Sequence, residues 1–201
     1  MIAVVDYGIG NLRSAEKALH HLGADARLTA DAFDIEHADA VVLPGVGNFG
    51  ACMAALRDSG LEPVTLDAAR DGRPFLGICV GMQMLFDGSD ESPGVEGLGV
   101  VPGRITRLPE TVRLPQMGWN TLSTRPDARL LAGLPDPAWC YFVHSYAPRP
   151  DDDDVVVAWC DYGARFAAAV EQGPVWATQF HPEKSGAVGL ALLGNFVAAA
   201  A

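Results

Sequence analysis

Cys79 stands in a segment whose spacing could support nucleophilic chemistry, Gly77-Ile78-Cys79-Val80-Gly81. An apolar run at residues 74–78 leads into the cysteine, and a helical pattern of apolar residues follows it. This arrangement is typical of a nucleophile elbow, in which a sharp turn from strand to helix presents a nucleophile. The positive end of the helix dipole would favour the thiolate, which is the attacking species. A small core cysteine also fits this segment, so both interpretations stand at this point.

His181 is the matching candidate for a base, which a cysteine nucleophile requires. It follows an apolar run at residues 175–180, and Glu183 comes two residues later. Side chains at i and i+2 near a strand end can point the same way. Glu183 could therefore hold the imidazole of His181 while its other nitrogen meets Cys79. The alternative is a surface histidine followed by a carboxylate at a helix N-terminus.

Strands and helices alternate in the first half of the sequence. Apolar runs at residues 2–5, 40–43 and 74–78 are each followed by a glycine turn and a helical pattern. Asn11 and Asn48 suit the N-caps of the first two helices, and Gly23 suits the end of the first. The alternation predicts a parallel sheet covered on both faces, with ligands beyond the carboxyl ends of its strands.

Shorter apolar runs separated by Pro and Gly follow after about residue 94 and predict antiparallel strands that extend or flank the parallel core. The predicted strands are 99–101, 104–108, 139–143, 155–160, 166–170 and 175–180. A helix from Ser185 closes the chain. The predicted fold class is α/β, with a mixed, mainly parallel central sheet. No repeat, linker or break in composition divides the sequence, so residues 1–201 are expected to form a single domain.

Composition narrows the classes of function. The formal charge of −11 disfavours nucleic acid as a partner, because phosphate binding needs clustered Lys and Arg. The four cysteines form no C-x-x-C pair, so neither disulfides nor a metal site is expected, and the predicted compartment is the cytoplasm. The most apolar stretch, residues 188–201, is shorter than the roughly 20 residues of a membrane span, so no membrane association is expected.

Taken together, Gly77-Ile-Cys-Val-Gly-Met-Gln83 and Gln179-Phe-His-Pro-Glu-Lys-Ser185 resemble the paired signatures of class I (triad) glutamine amidotransferases. The resemblance implies a flavodoxin-like fold and glutamine as substrate. It implies that Cys79 attacks the glutamine amide, that His181 passes a proton to the departing ammonia, and that Glu183 orients His181. Water then releases glutamate, and no cofactor is required.

The resemblance also implies roles around the substrate. An oxyanion hole would be formed by the backbone N–H groups of Val46 and Val80, which agrees with a glycine turn at residues 44–47. His144 would belong to a pocket wall formed by the backbone of residues 143–146, and would not be the base. The residues implied to bind substrate are Gly45, Gly47, Gln83, Ser145 and Tyr146.

Three further segments, residues 5–14, 115–120 and 141–146, are similar to the glutaminase subunit of imidazole glycerol phosphate synthase. In that family the glutaminase forms a heterodimer with a (β/α)8 cyclase, which uses the ammonia to make imidazole glycerol phosphate and aminoimidazole carboxamide ribotide in histidine biosynthesis. The similarity places Asn11, Trp119 and Tyr141 at the partner interface or the ammonia exit. From the residues alone, packing beside turns is as good an interpretation of Trp119 and Tyr141.

Two positions depart from the family pattern. Val80 stands where Leu is common, and it is expected to act through its backbone. Gln116 stands where His is often found, and a difference there is expected to affect the interface.

The glycines on both sides of Val46 would let a peptide plane rotate at little steric cost. Such a rotation could keep the lone subunit slow until a partner binds.

Three alternatives remain open. The glutaminase subunit of another synthase, of the anthranilate or aminodeoxychorismate type, would keep the same triad. A non-catalytic module with this fold should have lost a triad member, and none is lost. A free-standing cysteine hydrolase acting on γ-glutamyl or peptide bonds would reach its full rate without a partner.

Overall fold

A nine-stranded sheet forms the centre of the computed structural model, which describes all 201 residues. Its first four strands are β1 (Ile2–Val5), β2 (Ala26–Thr29), β3 (Ala40–Gly45) and β4 (Phe75–Cys79). They pair in parallel in the order β2-β1-β3-β4. Every residue of β1, β3 and β4 is buried, as expected for parallel strands covered on both faces. The predicted parallel sheet is therefore confirmed.

Six helices accompany the sheet. They are α1 (Leu12–His21), α2 (Ala32–Glu36), α3 (Phe49–Asp58), α4 (Glu62–Arg70), α5 (Val80–Met84) and α6 (Gly186–Ala199). Helix α1 packs against α6, α2 against α4, and α3 against α5. The predicted cap at Asn48 is confirmed, since its side chain accepts from the Ala51 N–H, whereas the Asn11 side chain does not cap α1. None of the helices combines the length and apolar character needed to cross a bilayer.

The second half supplies the remaining strands. They are β5 (Gly88–Ser89), β6 (Gly103–Arg107), β7 (Gln116–Thr124), β8 (Ala138–His144), β9 (Tyr146–Pro150), β10 (Val156–Asp161), β11 (Arg165–Gln172) and β12 (Val175–Thr178). The large sheet continues from β4 as β12-β11-β10-β7-β8, and β5-β6-β9 form a small second sheet. Strand β12 is antiparallel to β11 but parallel to β4, so the prediction of a purely antiparallel strand there is wrong.

Two other predictions from the sequence are corrected. Residues 99–101 form no strand, because their backbone caps the C-terminal end of α5. The N–H groups of Val100 and Val101 both donate to the carbonyl of Leu85, which follows that helix. Trp119 and Tyr141 do not lie beside turns. They face each other in the middle of the antiparallel β7–β8 pair. Strand β7 escaped prediction because Gly118 interrupts it and one of its faces is exposed.

Candidate active site

Cys79 lies at the turn between β4 and α5, as the predicted elbow requires. It is the one non-glycine residue with a positive φ, at 55°, and such left-handed conformations cost about 1–3 kcal/mol. The flanking glycines allow the close packing that holds this turn. A Cβ on Gly81 would lie 1.8 Å from the Leu43 carbonyl oxygen, and one on Gly77 would lie 3.0 Å from the Gly81 oxygen. The spacing around Cys79 thus has a steric cause.

A cavity of about 570 Å³ opens beside Cys79, a suitable size for a small metabolite. Its walls are formed by Gly10, Asn11, Val46, Gly47, Cys79, Val80, Gln83, Glu91, Pro115, Val143, His144, Ser145, Tyr146, His181 and Lys184. The cavity thus includes most of the residues expected to contact substrate. Gly45 lies outside this wall, packed so tightly that a Cβ would approach the Gly81 nitrogen to 2.6 Å. Trp119 and Tyr141 also lie outside it.

His181 reaches this cavity because β12 pairs directly with β4. The carboxyl ends of these two parallel strands therefore deliver His181 and Cys79 to the same edge of the sheet. His181 Nδ1 lies 2.8 Å from Glu183 Oε1, and both side chains are 1% exposed. His181 Nε2 is buried and has no hydrogen-bond partner. The imidazole is thus oriented from one side and free on the other.

The charge state of His181 follows from its neighbours. Burial lowers its pKa, but the interactions of the imidazolium with nearby Cys79 and with the Glu183 carboxylate together outweigh burial and raise the pKa to about 9. For Glu183, burial is the largest single cause and raises the pKa, but the hydrogen bond and electrostatic attraction to His181, together with the hydrogen bond from Asn11, outweigh burial and lower the pKa. At neutral pH the pair is therefore an imidazolium and a carboxylate. A protonated imidazole beside Cys79 can give its proton to a leaving group there.

Asn11 contacts the buried carboxylate. Its Nδ2 donates to Glu183 Oε1 at 3.0 Å, the same oxygen that His181 uses, while Glu183 Oε2 has no partner. Asn11 also lines the cavity. Its side chain therefore lies inside the site, and its place at the partner interface or the ammonia exit stays a prediction.

Gln83 builds the inner wall of the cavity. Its Nε2 donates to the Tyr146 carbonyl at 3.1 Å and to Gln179 Oε1 at 2.9 Å. Gln179 in turn directs its Nε2 to Cys79 Sγ at 3.8 Å. Gln179 belongs to the same sequence segment as His181, but nothing in its spacing indicated that it would lie beside the nucleophile.

His144 supports the same wall from behind. Burial, the largest cause, lowers its pKa to about 4, so the ring is neutral. Its Nδ1 lies 2.8 Å from the Tyr146 carbonyl, which can only accept, so Nδ1 carries the proton. Its Nε2, 3.0 Å from the Gln116 amide, must then accept, and this requires the amide nitrogen of Gln116 at that position. Gln116 is 3% exposed, so its side chain supports the wall and is not itself on the surface, and an effect on the interface stays a prediction.

Two charged side chains of the cavity wall were missed in the sequence, Glu91 and Lys184. Glu91 Oε2 accepts a hydrogen bond from the Phe49 N–H at 2.7 Å, which fixes the carboxylate at the start of α3. No local pattern marks either residue. Together they complement the two charges of a free α-amino acid.

The loop at residues 44–47 comprises the last two residues of β3 and the two that follow, and it lies beside Cys79. The parallel register pairs Gly45 with Cys79, and Val41 N–H donates to the Pro74 carbonyl. In a parallel ladder alternate residues bond to the same neighbour, so this register directs the Gly45 carbonyl towards the Val80 N–H. A backbone carbonyl thus opposes one of the two N–H groups expected to form an oxyanion hole.

Comparisons with known proteins agree with this geometry. The family described as "Glutamine amidotransferase class-I" matches residues 3–200. "Imidazole glycerol phosphate synthase subunit HisH" of Methanothermobacter thermautotrophicus is 53% identical over 98% of both chains, and that of Deinococcus radiodurans is 52% identical over 97% of this chain and 92% of its own length.

Solved structures share the fold. A structure titled "Crystal structure of glutamine amidotransferase" superposes with a TM-score of 0.78 at 24% identity, over 100% of this chain and 99% of that one. A chain of PurLQS from Thermotoga maritima has a TM-score of 0.78 at 21% identity, over 98% of this chain and 97% of that one. At these identities the similarity concerns the fold alone.

Proposed function

Because the chain belongs to the class I glutamine amidotransferases, and within them to the family of imidazole glycerol phosphate synthase subunit HisH, we propose that it hydrolyses glutamine and supplies ammonia to a cyclase partner. The observation that carries this proposal is the His181–Glu183 pair at 2.8 Å, with a free His181 Nε2 just beyond the strand that pairs with the Cys79 strand. The glutaminase of another synthase would share this pair. The 53% identity to a HisH subunit favours the synthase of histidine biosynthesis.

The reaction proceeds by two acyl transfers. The Cys79 thiolate attacks the side-chain carbonyl carbon of glutamine and forms a tetrahedral oxyanion. The C–N bond breaks, His181 Nε2 gives its proton to the leaving nitrogen, and ammonia departs from a glutamyl thioester. Water then loses a proton to His181 and attacks the thioester, which releases glutamate and the thiolate. Glutamine and water thus become glutamate and ammonia, while Glu183 holds the imidazole in place.

The cavity supplies the groups that a glutamine zwitterion needs. Glu91 lies on its wall with a fixed carboxylate and would pair with the α-ammonium group. The backbone of Ser145 and Tyr146 would bind the main-chain end, and Gln83 holds that backbone through the Tyr146 carbonyl. Gly47 lines the cavity, whereas Gly45 would act through the loop backbone.

An exposed apolar surface on the β7–β8 pair would receive the partner. Met117, Trp119 and Trp139 are 66%, 53% and 49% exposed, and Tyr141 packs edge-on against Trp119. Large exposed aromatic side chains are typical of protein interfaces. The Tyr141 carbonyl also accepts from the His181 N–H at 3.0 Å, so this surface is directly linked to the triad. We assign it to the (β/α)8 cyclase, in a heterodimer.

The loop at residues 44–47 would regulate the rate. In this structure the Gly45 carbonyl faces the Val80 N–H. Rotation of the Gly45–Val46 peptide would remove that carbonyl and direct the Val46 N–H towards the oxyanion. One oxyanion donor is worth about 10²- to 10³-fold in rate. Partner binding would shift the population towards the rotated form and so avoid wasteful release of ammonia.

Glutaminase rates of three species test this function: the lone chain, its complex with the cyclase from the same genome, and that complex with the cyclase ligand bound. We expect a feeble rate for the lone chain and an increase of about 10²-fold or more in the ligand-bound complex. Equal rates in all three would favour a free-standing hydrolase. Failure to form a complex would favour the glutaminase of another synthase.

A further inference from the structure

Two buried side chains donate hydrogen bonds to backbone carbonyl groups of the loop at residues 44–47. The Tyr7 hydroxyl donates to the Pro44 carbonyl at 2.7 Å. The Cys52 thiol donates to the Val46 carbonyl at 3.2 Å. Tyr7 and Cys52 are both buried, at 5% and 0% exposure, and they come from different elements: Tyr7 follows β1 and Cys52 lies in α3. Each flank of the loop therefore has its own side-chain anchor.

These anchors leave one peptide between them. The Pro44–Gly45 peptide is fixed through its carbonyl by Tyr7, and the Val46–Gly47 peptide is fixed through its carbonyl by Cys52. The intervening Gly45–Val46 peptide is held only by the strand ladder. Glycines on either side of Val46 offer little steric resistance to its rotation.

We propose that Cys52 is a positioning residue of the oxyanion loop, which together with Tyr7 confines the rotation to the Gly45–Val46 peptide. The inference rests on the proposed function, because it concerns the loop that would stabilise the glutamine oxyanion. Cys52 itself touches no substrate, since it does not line the cavity.

The chemistry of Cys52 suits a hydrogen-bond donor. Burial raises the pKa of its thiol, so the sulfur keeps its proton at neutral pH. In a trans peptide the C=O and N–H groups point in opposite directions. Because the Val46 carbonyl is held towards α3, the Gly47 N–H points the other way. Gly47 has a φ of +87°, a conformation that glycine adopts readily, and it lines the cavity.

Loss of the Cys52 donor would affect the transition state more than the ground state. Without the anchor, the Val46–Gly47 peptide samples several orientations, and the arrangement that presents the Val46 N–H is populated for less of the time. A weak hydrogen bond of this kind corresponds to about a three- to tenfold loss of kcat. Bound glutamine has no oxyanion, so KM should change less than about twofold.

The test compares Cys52→Ala with Cys52→Ser in the complete complex with the cyclase. Both substitutions remove sulfur, but only serine keeps a donor. Met53→Leu, at the neighbouring buried position of the same helix, controls for altered packing. The second measurement is the rate at which iodoacetamide alkylates Cys79, followed by mass spectrometry. In that reaction the thiolate displaces iodide directly and no oxyanion forms, so the loop is not needed.

We expect Cys52→Ala to lower kcat about three- to tenfold, with KM and the Cys79 alkylation rate unchanged, and Cys52→Ser to restore kcat. Wild-type kcat in Cys52→Ala would overturn the inference. So would an equal loss in both variants together with slower alkylation, because that result indicates general disruption of the site. If wild-type complex hydrolysed no glutamine while Cys79 still reacted with iodoacetamide, the proposed function would fail first, and the inference with it.

Discussion

The nucleophile side and the base side of the site are held in different ways. Cys79 is fixed by its backbone, at a strained turn that packs closely against the end of β3. His181 is fixed by side chains: Glu183 holds its ring, Asn11 in turn holds Glu183, and the Ser185 hydroxyl donates to the His181 carbonyl at 2.7 Å. Substitutions on the first side should therefore act through the fold, and those on the second through orientation and charge.

Gly81→Ala should have the largest effect, because it disrupts the close backbone packing that positions Cys79. The added Cβ would lie 1.8 Å from the Leu43 oxygen, which is a backbone atom and cannot move away cheaply. We expect a loss of stability of about 3 kcal/mol or more, or no soluble protein, measured by urea unfolding. Gly194→Ala is the control, since its Cβ meets nothing closer than 4.0 Å and should leave the protein as stable or slightly more so. Equal stability of both variants would contradict the steric role of Gly81.

Glu183→Gln should damage orientation and charge without unfolding the protein. The loss of a charged hydrogen bond predicts a fall in kcat/KM of about 10- to 100-fold. The carboxylate helps to raise the pKa of His181 to about 9, so its removal lowers that pKa. Activity that needs a protonated imidazole is lost as the pH rises through this pKa, so the alkaline limb of the pH profile should move to lower pH.

A pH profile of kcat/KM for wild-type and Glu183→Gln protein checks this shift. Glu62→Gln is the control, because that carboxylate pairs with Arg57 at the surface and should leave the limb in place. If the alkaline limb of the Glu183→Gln profile lay at the same pH as in the wild type, the carboxylate would not control the protonation of His181.

Asn11→Ala should have a smaller effect than Glu183→Gln. It removes one of the two hydrogen bonds to Glu183 Oε1 but leaves the His181 contact intact. We expect kcat to fall about three- to tenfold, measured with saturating glutamine. Asn195→Ala, which removes an amide bound to the Leu130 and Ala132 carbonyls away from the cavity, should leave kcat unchanged. A larger loss in Asn11→Ala than in Glu183→Gln would show that Asn11 acts on the substrate or the ammonia path.

The two sides of the site also differ in how much of each could be predicted from the sequence. The elbow at Cys79 and the cap at Asn48 were predictable, because glycine spacing and capping are local properties. The contact between Asn11 and Glu183 joins residues 172 positions apart, and no local pattern encodes it. The placement of β12 beside β4 is equally non-local, although it alone brings His181 to Cys79. Glu91 was missed for the same reason, since it is defined as a cavity residue only by the folded chain.

Glutamine and ammonium, supplied in turn to the same reconstituted complex, separate the chemistry of this chain from that of its partner. In Cys79→Ala we expect glutamine-dependent formation of imidazole glycerol phosphate to fall by roughly 10⁴-fold or more, because no other group on the cavity wall can form the thioester. Formation with added ammonium should remain close to the wild-type rate, since the cyclase chemistry lies on another chain. Glutamine-dependent turnover that survived in Cys79→Ala, or an equal loss with both nitrogen sources, would contradict a nucleophilic role for Cys79 in supplying ammonia.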